Sequence, residues 1–182
     1  MKLYFKYILL IIATIAILSN ISCERDDICA ESTGTTPKLI IDAYDNSNTE
    51  NKKNIAGLLI KGIDNDAILP GYEIISSNSI ELPLKTDNDN TQYVLIKGAS
   101  VNDNDTPDDT NDDYIDGNYD TITVAYTRKE IYVSRACGYK TIFENVSLTI
   151  EEDGDNWIIS RLPLMENNTV EDETETHFNI YH

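Results

Sequence analysis

This 182-residue chain predicts an all-β fold, an antiparallel β-sandwich of immunoglobulin-like outline. Three observations carry the prediction. Short runs rich in β-branched and aromatic residues recur along most of the chain, separated by clusters of Asn, Asp, Gly, Ser and Pro that suit turns. Several runs alternate, as Ile122, Val124 and Tyr126 do against Thr121, Thr123 and Thr127, so one face can be buried while the other meets water. No long helical stripe interrupts them, and no fixed-period repeat points to a propeller or solenoid. A small up-and-down β-barrel is the alternative.

Taken in order, residues 38–44 form a strand built on Leu39, Ile40 and Ile41, and the polar tract 45–54 reads as a hairpin connection. The next strands are 55–61 on Ile55, Leu58 and Ile60, then 72–75, 79–85 on Ile80, Leu82 and Leu84, and 92–97 on Tyr93 to Ile96. Residues 102–120 differ in composition, with eight Asp, four Asn and Gly117, and read as an extended exposed loop. Beyond it, strands are expected at 121–127, 130–136, 140–144, 146–151, 157–162 and 176–182.

The N-terminus has another character. Lys2 and Lys6 precede an uncharged apolar stretch, 7–18, which gives way to Ser19 and Asn20 before Ile21-Ser22-Cys23. A membrane-crossing helix needs roughly 20 apolar residues. This shorter stretch, with its basic start and small Ser22 beside Cys23, reads as a signal peptide over 1–22, a permanent span being the alternative. The segment resembles a bacterial lipoprotein signal. That resemblance implies cleavage before Cys23, lipid on its sulfur and N-terminus, and a chain held on the outer membrane, facing the periplasm or the cell surface. Glu24, Arg25, Asp26 and Asp27 resemble the export signal of surface-exposed lipoproteins of the Bacteroidota, or serve as a plain charged tether. The organisation expected is an acidic tether at 23–36 and a single domain at 37–182.

The chain carries 14 basic and 32 acidic residues, a net charge of −18. Removing 1–22 takes away two lysines and no acid, leaving 12 − 32 = −20. That balance argues against nucleic acid as a partner through a basic surface. The partners expected are the membrane, through the lipid, and an unknown protein or glycan. With Cys23 lipidated, Cys29 and Cys137 are the only possible intramolecular pair in an oxidising compartment. Against that pair stands a buried free thiol at Cys137.

Chemistry has thin support. Ca²⁺ takes six to eight hard oxygen ligands, and Asp112, Asp116, Asn118 and Asp120 offer some, though not in the order of an EF-hand. The loop is therefore read as a solvated acidic segment, with Ca²⁺ as the possible cofactor. His177 and His182, the only histidines, fall on opposite faces of an extended strand. Cys137 has no context that activates a thiolate. No nucleophile elbow, phosphate-binding Gly loop or zinc-type cysteine spacing occurs, so no catalytic residue is assigned. Arg135 shares parity with Ile131 and Val133 and is expected to point inward into an ion pair, with binding of an anionic ligand as the alternative.

The segments Cys23 to Cys29, Thr36-Pro37-Lys38-Leu39-Ile40-Ile41, Tyr132 to Lys140, Asn156-Trp157-Ile158 and His177 to His182 resemble an uncharacterised family of Bacteroidota lipoproteins. The resemblance implies the anchor and the architecture. It brings no catalytic residue, and its recurring cysteines are matched by Cys29 and Cys137. The expected function is a non-enzymatic, lipid-anchored binding or envelope-assembly module. The alternatives are a Ca²⁺-dependent adhesion or glycan-binding module and, third, a hydrolase.

Overall fold

A computed structural model describes residues 4, 6, 28–63, 67–165 and 167–182. Cys23 and nearly all of the signal-like segment lie outside the described residues. The strands are β1 (Leu39–Asp45), β2 (Asn48–Lys52), β3 (Ile55–Gly62), β4 (Ile68–Ser77), β5 (Ser79–Leu82), β6 (Asn90–Asn102), β7 (Tyr114–Ser134), β8 (Gly138–Ile150), β9 (Ser160–Pro163) and β10 (Phe178–Tyr181).

The chain divides into two compact units, one of residues 34–131 and 140–182, the other of 1–33 with 132–139. The larger is a β-sandwich. One sheet runs β2-β1-β10-β9 with β5 also on β1, and the other runs β4-β3-β6-β7-β8. Neither closes on itself, which removes the barrel alternative. The first sheet is mixed, because β1 and β10 pair in parallel from Ile41↔Phe178 to Tyr44↔Tyr181. Alternation fills the space between the sheets. Leu39, Ile41, Ala43, Ile80, Leu82, Phe178 and Ile180 meet Ile55, Leu58, Ile60, Leu95, Ile122, Val124, Phe143 and Leu148 in one buried cluster. Burying such side chains contributes about 1.5–3 kcal/mol each.

Several expected boundaries move. Runs 121–127 and 130–136 are parts of the single strand β7, whose exposed stretch 127–130 hides the continuity. Runs 140–144 and 146–151 join as β8, with Asn145 at φ 54, a left-handed conformation that Asn tolerates. The tract 45–54 contains β2, wholly exposed, and the 72–75 run extends to 68–77 in β4. Trp157 and Ile158 precede the short strand β9 rather than opening it. The acidic loop shrinks to 103–113, because Asn102↔Tyr114, Val101↔Ile115 and Ser100↔Asp116 are strand pairs.

The smaller unit holds the turn between β7 and β8. The disulfide joins Cys29 to Cys137, with Cα atoms 4.8 Å apart, so the free-thiol alternative does not hold. The Cys137 amide donates to Ser134 Oγ at 3.0 Å, closing the turn. Arg135 is exposed in that turn. The inward expectation fails because regular alternation stops at Ser134.

Candidate functional site

In the larger unit, a cleft of about 350 Å³ opens beside Gly62, Ile63, Ala67–Pro70, Pro83–Lys85 and Thr91–Tyr93. It brings together the end of β3, the start of β4, the segment after β5 and the start of β6. Ile63 and Ile68 stand about 40% exposed on its rim, while Leu84 and Tyr93 belong to the buried core below. Apolar walls with a few convergent polar groups are the usual make-up of a small-ligand or side-chain pocket.

Hydrogen bonds hold the floor in place. The Lys85 amide donates to Thr91 Oγ1 at 2.9 Å, and the Tyr126 hydroxyl donates to the Lys85 carbonyl at 2.9 Å. Thr91 Oγ1 and Tyr126 Oη lie 2.7 Å apart, and the Tyr93 hydroxyl donates to the Pro83 carbonyl. Burial pushes the Tyr93 phenol up to about 12, so it stays a protonated donor. Arg128 ties the neighbouring turn down through Asp89 Oδ1 at 2.9 Å and the Thr86 carbonyl at 2.7 Å. A frame satisfied in this way costs little reorganisation when an apolar group enters.

A polar joint lies elsewhere in the same unit, among Asp120, Trp157, Lys97, His182 and Lys53. Asp120 is fully buried and accepts from the Trp157 and Ile158 amides at 3.1 and 2.8 Å. Burial pushes its carboxyl above the usual range, against the pull of those two bonds. Lys97 Nζ lies 3.1 Å from His182 Nδ1 and 5.5 Å from the Trp157 ring centre. His182 Nε2 faces the Lys53 carbonyl at 3.3 Å. A carbonyl only accepts, so Nε2 carries the proton and Nδ1 accepts from the ammonium. Burial, with the positive charges of Lys97 and Lys53, holds His182 below its ordinary value. Burial also lowers Lys97, and Lys53 pushes the same way.

The other histidine is structural too. Ile40 donates its amide to His177 Nδ1 at 2.8 Å, and burial lowers that imidazole, partly offset by a hydrogen bond to the Asp172 backbone. The two rings hold separate partners.

The four candidate Ca²⁺ ligands are not brought together. Asp112 accepts from Asn104 and Thr106 inside the loop, and Asp116 accepts from Asn102. Asn118 Nδ2 donates to the Asp155 carbonyl, and Asp120 is the buried acceptor described above. Among the described residues no three His, Cys, Asp or Glu side chains form a metal-binding group. Asp120 is therefore a buried strand residue and not a loop carboxylate, and its place in the chain marks this. It shares parity with Ile122, Val124 and Tyr126, the inward face of β7. The cleft, by contrast, left no local signal, since its walls come from four separate segments.

No curated protein and no solved structure matches the chain significantly. A family model does match, over residues 57–182, from within β3 through to His182. The match includes Cys137, the cleft and the polar joint apart from Lys53, and leaves out β1, β2 and Cys29. The chain therefore belongs to DUF6452, a family of unknown function.

Proposed function

We propose that this protein is a lipid-anchored, non-enzymatic binding module of the bacterial cell envelope, and that it engages its ligand through the Ile63–Leu69–Leu84–Tyr93 cleft. The observation that carries the reading is the cleft itself, an open apolar recess over a hydrogen-bonded floor. The anchor is Cys23, supported by the lipoprotein-like segment before it. A disulfide between Cys29 and Cys137 accords with an oxidising compartment.

The test is a fragment screen of small apolar and aromatic compounds by NMR, on the wild type and an Ala67→Trp variant that fills the cleft. Compounds should bind the wild type and lose affinity for the variant, with the variant's melting temperature unchanged. Ligand at 100 times its Kd stabilises the fold by about 2.7 kcal/mol, a second readout. No saturable binding at the cleft, or a catalytic turnover abolished by a point substitution without unfolding, overturns the proposal. Intact mass of the full-length protein and its Cys23→Ala variant tests the anchor separately.

A further inference from the structure

The geometry points to a membrane-docking surface on the disulfide-bonded turn, where Ile28, Tyr132 and Tyr139 meet the headgroup layer of the same bilayer that holds the lipid on Cys23. This inference rests on the lipid-anchor reading above. Tyr132 and Tyr139 stand on either side of the turn with ring centres 5.3 Å apart in an edge-to-face pair. The pair is not buried. Tyr132 is 57% exposed, Tyr139 67% and Ile28 85%. A cross-strand aromatic pair that only stabilised its hairpin would gain most from covering its rings. These two instead present apolar ring faces and hydroxyls to the surroundings, the combination enriched at membrane–water interfaces.

The disulfide decides which partner lies within reach. Six residue steps separate Cys23 from Cys29, a span of at most about 20 Å even when fully extended. Cys29 is bonded to Cys137 in the turn itself. Lipid on Cys23 therefore keeps the Tyr132–Tyr139 pair within a short leash of the bilayer. Short leashes give effective concentrations in the millimolar range, so weak interfacial affinity is enough to hold the turn down. The turn itself, residues 132–139, contains Arg135 and no Asp or Glu, whereas the acids of this end, Glu24, Asp26, Asp27 and Glu31, lie on the other arm of the disulfide.

The experiment uses full-length lipidated protein in vesicles of phosphatidylethanolamine and phosphatidylglycerol, with and without nitroxide-labelled lipid. Tyr132→Trp and Tyr139→Trp report position, read as the difference from the wild type, whose Trp157 is buried. Both added tryptophans should be quenched by the nitroxide lipid. Quenching at Trp in position 139 should be lost when Ile28→Ser and Tyr132→Ser are added, while lipid attachment and melting temperature stay unchanged. A Gly-Ser spacer inserted between Asp27 and Ile28 should weaken it by lowering the effective concentration. Intact mass separates the two readings. A lipid adduct on Cys23 with unquenched tryptophans overturns the docking and leaves the anchor standing, whereas no adduct overturns both. Tryptophans that ignore nitroxide lipid but respond to a soluble glycan or peptide reassign the pair and overturn the docking.

Discussion

Asp120→Ala tests the energetic account of the polar joint most directly. The wild-type carboxylate is fully buried and accepts two backbone amides, from Trp157 at 3.1 Å and Ile158 at 2.8 Å. Hydrogen bonds to a charged group contribute about 1.5–3 kcal/mol each, and a buried donor left without a partner costs about 1–3 kcal/mol. Some relief comes from no longer burying a charge, which is why the carboxyl is raised above its usual range. The net expectation is a loss of about 3–5 kcal/mol, a large part of the 5–15 kcal/mol typical of a domain. At about 2–4 °C per kcal/mol for a domain of this size, the melting temperature should fall by roughly 10 °C. Urea denaturation at pH 7 measures the loss, and hydrogen exchange at the Trp157 and Ile158 amides localises it. The pH dependence has a definite sign. A carboxyl raised in the folded state contributes stability that is full below the unfolded value of 3.8 and is lost as pH rises through the folded value. The wild-type advantage over Ala should therefore shrink from pH 4 towards pH 7. A loss below about 1 kcal/mol, or unchanged exchange at both amides, would refute the argument that this side chain holds the chain between β8 and β9.

Three further outcomes follow from the same structure. Replacing Cys29 and Cys137 together by serine opens a closure of 108 residues, which chain-entropy reasoning values at about 4–5 kcal/mol; equal urea midpoints for wild type and variant would contradict it. Both His177 and His182 are held below 6.5 by burial, so the stability they allow is full above pH 6.5 and falls as pH drops towards their folded values. From pH 7 to pH 5 the melting temperature should fall further, or rise less, in the wild type than in His182→Gln; an identical pH profile in the two would refute the assignment of a neutral ring at His182. Because Asp112, Asp116, Asn118 and Asp120 have separate partners, millimolar Ca²⁺ should shift the melting temperature no more than Mg²⁺ does, and a Ca²⁺-specific rise would restore the loop as a metal site.

Hydrophobic alternation made the sandwich readable in the chain. Side chains alternate with a period of two in any strand, so Leu39, Ile41 and Ala43, or Ile122, Val124 and Tyr126, announce an inward face without knowledge of what they face. Cysteine arithmetic likewise pointed to Cys29 with Cys137, because setting Cys23 aside as a candidate anchor leaves two cysteines with one way to pair. Composition and parity each mislead at one point. The neighbours of Asp120 are acidic loop residues, yet its spacing from Ile122 puts it on the buried face of β7. Arg135 shares the parity of Ile131 and Val133, yet it lies beyond Ser134, where the strand stops.

The sequence alone determined the β character, the excess of acidic residues and, once Cys23 is set aside, the pairing of Cys29 with Cys137. Each is a property of local periodicity, composition or count, and survives any arrangement of the strands. Tertiary structure decided the parallel pairing of β1 with β10, the cleft over Tyr93, and the meeting of Lys97 with His182 across 85 residues. These depend on which distant segments come to share a sheet edge or a corner. No single segment records that choice, because it is made by the sum of many small burial and hydrogen-bond energies over the whole fold.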